Sequence, residues 1–133
     1  MQDIINIEQA LKNAVYDEKV GIKISSLIEG ETFNLYALQI KSKNKIGAHY
    51  HQKGNETYQI LKGEGIMMLA EEQNGKITWQ QPRYIKQGEC INVKARQVHQ
   101  LINTSDEDLI CIAGCSHTHN STDRFIVEDY VDN

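Results

Sequence analysis

The stretch Gly47-Ala48-His49-Tyr50-His51-Gln52-Lys53-Gly54-Asn55-Glu56 constrains the fold more than any other part of the chain. His49 and His51 are two positions apart, so on an extended strand both imidazoles leave the same face. Glu56 follows a short polar segment that holds a glycine, and an apolar run then ends at Gly63. That arrangement turns one strand back and lets the start of the next aim a carboxylate at the two imidazoles. Such a donor set suits a borderline divalent transition metal: Zn, Fe, Mn, Ni or Cu. The alternative is that His49 and His51 are polar residues on an exposed strand.

A second stretch adds to the first. Gly88 opens the strand-like segment Glu89-Cys90-Ile91-Asn92-Val93, Lys94-Ala95-Arg96 forms a polar turn, and Gln97 to Asn103 runs extended again around His99. Together the two stretches resemble the cupin family. The family's first motif reads glycine, five residues, His-x-His, three or four residues, glutamate, six residues, glycine; His49, His51, Glu56 and Gly63 match it in register. The second reads glycine, five residues, Pro-x-Gly, two residues, histidine, three residues, asparagine; Gly88, His99 and Asn103 match. Lys43, Lys94 and Arg96 stand where the motifs have glycine, proline and glycine. All three fall at turns, so they bear on loop geometry rather than on the ligands. The motifs span residues 43 to 103. The resemblance implies an all-β fold, a double-stranded β-helix or jelly-roll barrel, with His49, His51, Glu56 and His99 as metal ligands inside it. It also implies dimerisation through exposed sheet edges and the N-terminal helix, hence a homodimer.

The 133 residues form one expected domain, long enough to bury a core without disulfides. Within it, 1–18 reads as an N-terminal helical segment, about 20–115 as the barrel and 116–133 as a C-terminal segment. A net charge of −4 argues against nucleic-acid or anionic-membrane partners, which favour basic patches. Met1 to Asn6 lacks a basic start followed by an apolar run, so no secretory signal is expected. Cys90, Cys111 and Cys115 are an odd number without a paired framework. Reduced thiols and a cytoplasmic location are the expectation.

Asn6 can cap a helix, Gln9 occupies the reciprocal capping-box position, and Ile7, Leu11, Ala14 and Val15 recur at helical spacing. Strands are expected at Gly21–Ile28 and Phe33–Ile40, before a lysine-rich loop at 41–45 that is a solvated turn or an anion site. Asn74-Gly75 marks a hairpin, and Pro82 lies between two short strands. Leu109 to Ala113 is a buried strand with Cys111 as a small hydrophobe. Alternation places Tyr58 on the same face as Glu56. Tyr58 is therefore a candidate catalytic hydroxyl, or else a core aromatic satisfied locally. Cys115, His117 and His119 alternate near the end of the chain, and either bind a second metal or cover the barrel mouth.

Three imidazoles and a carboxylate leave positions open on a five- or six-coordinate ion. In the resembled family this set serves dioxygenases, decarboxylases, isomerases and lyases, so the expectation is a metal-dependent enzyme on a small organic substrate. The alternative is a binding or sensing module that turns nothing over.

Overall fold

The computed structural model describes residues 3–18, 21–116 and 123–132. Helix α1 (Ile7–Asn13) starts at Asn6, whose extended backbone and side-chain oxygen cap it by accepting from the Gln9 N–H at 2.9 Å. The Gln9 side chain donates forward to Asn13 rather than back to Asn6, so half of the reciprocal box forms. The helix stops at Ala14, and Val15 falls off the apolar stripe, 83 % exposed. Leu11 carries the stripe instead, packing with Ile7 and Ala10 over Leu27 and Ala37.

Among the described residues twelve strands follow: β1 (Tyr16–Asp17), β2 (Ile22–Glu29), β3 (Phe33–Ile40), β4 (His49–Tyr50), β5 (Glu56–Lys62), β6 (Glu64–Gln73), β7 (Lys76–Trp79), β8 (Arg83–Lys86), β9 (Cys90–Val93), β10 (Val98–Ile102), β11 (Leu109–Ser116) and β12 (Phe125–Ile126). They build two antiparallel sheets, ordered β1-β2-β3-β11-β5-β9 and β12-β4-β10-β6-β7, with β8 also on β6. The fold is the expected all-β double-stranded β-helix, with one short helix among the described residues. Period-two burial explains it. Along β5, Glu56, Tyr58 and Ile60 are buried while Thr57 and Gln59 are exposed; along β11, Leu109, Cys111, Ala113 and Cys115 point inward. Tyr58, Ile60, Leu109, Cys111 and Ala113 meet Met67, Leu69 and Leu101 from the other sheet in one apolar core.

Turn chemistry fixes where the strands reverse. Gly63 has φ 90°, and a Cβ there would lie 2.8 Å from the Asp108 carbonyl oxygen. At Gly65 it would lie 2.5 Å from the Ile102 carbonyl oxygen, so neither position accepts a side chain without backbone movement. Lys43 and Arg96, the two residues in place of motif glycines, adopt φ 65° and 67°. The backbone keeps a glycine-like turn, and each side chain bears the steric strain of that region. Lys94 donates its N–H to the Gln97 side chain, a bond that proline could not make.

Residues 123–130 of the C-terminal segment join the second sheet through β12. β12 pairs with β4, the Val127 N–H donates to the Ala48 carbonyl, and the Asp129 carboxylate accepts from the Ala48 N–H. Gln100, fully buried, donates to the Ile46 carbonyl and accepts from the Tyr130 N–H. The lysine-rich loop is a solvated turn: Lys43 pairs with Asp106, and Lys45 with Asp129. Cys90 is exposed and Cys111 and Cys115 are buried, all three as free thiols. No helix among the described residues is long and apolar enough to cross a membrane.

Candidate metal centre

β4 and β10 pair antiparallel with His49 opposite His99, which puts both imidazoles on one face. Alternation brings His51 to that face two positions on, and β5 opens on the facing sheet with Glu56. The four residues that the sequence singled out as ligands therefore converge from both sheets. All four are buried, and one potential ligand atom from each lies within 4.8 Å of the others. Among the described residues this is the one group of three or more His, Cys, Asp or Glu so placed.

Each imidazole is oriented by a backbone carbonyl. His49 Nδ1 bonds the Gly47 oxygen at 2.8 Å, His99 Nδ1 the Gln97 oxygen at 3.2 Å, and His51 Nδ1 the Asp123 oxygen. A carbonyl only accepts, so the Nδ1 of His49 and of His51 carries the proton and Nε2 is the atom turned toward the cluster. His99 instead has an acceptor at each ring nitrogen, the Gln97 oxygen at Nδ1 and Glu56 at Nε2. Glu56 is held as firmly. Its Oε1 lies 2.9 Å from His99 Nε2 and 3.8 Å from His51 Nε2, and accepts from the Tyr58 hydroxyl at 2.7 Å.

Burial sets the charges. Desolvation, then the neighbouring His99, pulls the His49 pKa down to about 3. Desolvation also lowers His51, against the pull of Glu56. Both rings are thus neutral near pH 7, the state a metal ligand requires. Burial, then Glu56, raises the Tyr58 hydroxyl well above its ordinary range, so it keeps its proton and acts as a donor to Glu56. The same two causes push the Cys115 thiol to about 12 and raise Cys111 further, which leaves both thiols protonated.

The donor set fits a divalent transition metal: three oriented imidazoles and one carboxylate. Two ligands of one ion at about 2.1 Å stand at most roughly 4.2 Å apart. The cluster needs only a small contraction to close on an ion. His49, Glu56 and Tyr58 also line a cavity of about 360 Å³ whose walls include Ile22, Ile24, Leu38 and Ile46. That volume and lining are in the range of small-molecule sites.

Two further residues reach this region from the C-terminal segment. Asp123 orients His51 through its carbonyl, and its carboxylate accepts from the Gln52 and Lys53 N–H groups at 2.8 Å each. Arg124 lines the cavity. Sequence reasoning missed both roles; the one signal was an Asp-Arg pair leading into an apolar triplet. Of the alternating tail, Cys115 is a buried residue of β11 outside the cluster, and His117 and His119 lie outside the described residues.

Comparison with known proteins agrees with this architecture. A family model described as "Cupin domain" matches residues 38–115. The chain resembles a solved double-stranded β-helix protein from Klebsiella pneumoniae at 19 % identity and TM-score 0.71, covering 97 % of this chain and all of that one. It resembles capsular polysaccharide assembling protein CapF from Staphylococcus aureus at 16 % identity and TM-score 0.73, covering 87 % of this chain but 34 % of that one. It also resembles an oxalate oxidase at 14 % identity and TM-score 0.70, over 89 % of this chain and 61 % of the other. No curated protein gives a significant match. On the family match, the fold and the motif residues together, the chain belongs to the cupin family.

Proposed function

We propose that this protein is a metal-dependent enzyme acting on a small organic substrate, with His49, His51, Glu56 and His99 holding a divalent transition metal. The observation that carries the reading is the buried cluster of three oriented imidazoles and a carboxylate beside a largely apolar cavity. When bound, such an ion supplies Lewis-acid polarisation of a substrate oxygen or, if redox-active, a place for O₂. The chain's own residues do the rest. The carbonyls of Gly47, Gln97 and Asp123 orient the rings, Tyr58 fixes the Glu56 carboxylate, and the aliphatic walls offer apolar contact to a substrate's hydrocarbon part. Support for small-acid chemistry comes from neighbours described as an oxalate oxidase and a predicted oxalate decarboxylase.

The state of Tyr58 favours a second reading. Its hydroxyl is committed to Glu56 and resists ionisation, so it positions a ligand and is not a general base. A module that binds a small molecule through the ion without turnover has the same geometry. Metal-loaded protein tested for O₂ consumption and for conversion of 2-oxo acids and sugar phosphates separates the two. Turnover that disappears on chelation supports the enzyme; binding without turnover across the panel supports the module.

A further inference from the structure

Arg124 shares the cavity with His49, Glu56 and Tyr58. Its Nε is shut off from solvent without a hydrogen-bond partner among the described residues, and no described carboxylate forms an ion pair with it. A buried donor left in that state is costly, the more so on a charged group, and an incoming anion removes the cost. Arg124 also borders a second cleft, beside Phe125.

The backbone that carries this guanidinium is pinned on both sides. Asp123 is tied to His51 and the two residues after it by three hydrogen bonds, and Phe125 stacks on Tyr50 with ring centroids 5.1 Å apart. The main chain at Arg124 is therefore held in place between two anchored neighbours, and the side chain leaves it toward the cavity that His49 and Glu56 line.

We propose that Arg124 is the specificity-determining residue of the cavity and binds the carboxylate of a small monocarboxylic acid with an apolar body. The inference rests on the metal-site reading for the reactive end of the cavity and adds the substrate class. A guanidinium fork matches a carboxylate, and the cavity offers it one such partner. Ile22, Ile24, Leu38 and Ile46 suit a hydrocarbon body. A phosphate dianion would want more cationic and N–H donors than this wall provides.

Calorimetric titration with 4-methyl-2-oxopentanoate, its neutral methyl ester and inorganic phosphate tests the assignment, using wild type and Arg124→Gln with metal per chain measured on each sample. Wild type is expected to bind the acid at least about tenfold more tightly than the ester. Arg124→Gln is expected to lose that preference while keeping its metal content and melting temperature; Arg124→Lys, with charge but no fork, is expected to fall between. Equal affinity of Arg124→Gln and wild type for the acid overturns the inference, as does a wild type that binds neither organic probe or prefers phosphate. The titrations are repeated after chelation. Protein that takes no metal yet binds the acid through Arg124 overturns the metal reading and keeps the anion anchor. Protein that takes metal but shows no Arg124 dependence does the reverse.

Discussion

His99 Nε2 and Glu56 Oε1 meet at 2.9 Å inside the barrel, although 43 positions separate them in the chain. The hydrogen bond places a proton between the two atoms, and an ion held by both residues would displace it. Metal binding is therefore expected to release protons, read as a dependence of the calorimetric enthalpy on buffer ionisation enthalpy at pH 7. The same enthalpy in phosphate and Tris would contradict the shared-proton account.

The neutral histidines predict the direction of the pH response. The His49 pKa is about 3 in the folded protein and about 6.5 when unfolded, and His51 is lowered as well. Between these values the unfolded chain binds the proton and the folded chain does not. For His49 the stabilisation is complete above about pH 6.5 and is lost as pH falls toward 3, at up to about 1.4 kcal/mol per pH unit, and His51 acts in the same direction. Urea unfolding of chelator-treated protein from pH 7 to 4 checks this. Stability that is flat or rises on acidification would contradict it.

Tyr58 is expected to matter through Glu56. Tyr58→Phe removes the 2.7 Å hydrogen bond but keeps the ring in the core. Metal affinity should fall roughly 10- to 100-fold, as for other groups that orient a ligand, with about 1 kcal/mol lost in folding stability. Unchanged affinity in a competition assay with a chromogenic chelator would assign Tyr58 to packing alone.

Lys43 and Arg96 offer a test of the backbone. Both hold φ near 65° in turns where the family motif has glycine. Glycine at either position relieves the left-handed strain and loses some unfolded-state restriction, for a net gain of roughly 0.5 kcal/mol. Arg96 is the cleaner case, because its structural contact to the His51 carbonyl is made by its backbone N–H and survives in Arg96→Gly. Lys43→Gly also removes the bond to the Thr104 carbonyl and the pair with Asp106. Equilibrium denaturation should place Arg96→Gly above wild type; a lower midpoint would refute the strain.

The fold and the four clustered residues were legible because their signals are periodic or fixed in spacing. His49 and His51 alternate on one strand, Glu56 begins the next inward row with Tyr58 and Ile60, and His99 repeats the pattern on a paired strand. Asn103 was legible as a motif position, and its role is structural: its side-chain amide donates to the Ile40 and Glu107 carbonyls and closes the turn after β10. Asp123 and Arg124 were not legible. The contact from Asp123 to His51 spans 72 positions, goes through a main-chain oxygen that any residue possesses, and leaves no pattern in residue type. Strands β1 and β12, two residues each, are too short for alternation to register. The turns at Lys43 and Arg96 depend on a backbone conformation that neither side chain advertises.

The most direct test of the central claim is metal per chain, by elemental analysis, on wild type, His99→Ala and the double variant His117→Ala/His119→Ala. His99 shares the cluster with His49 only because β10 pairs with β4, so it reports on the assembled site. Wild type and the double variant are expected to carry about one metal ion each, and His99→Ala to lose nearly all of it, since deleting a ligand costs more than the 10–100-fold typical of its supporting partners. Full metal in His99→Ala together with loss in the double variant would contradict the account and move the centre to the Cys115-His117-His119 tail.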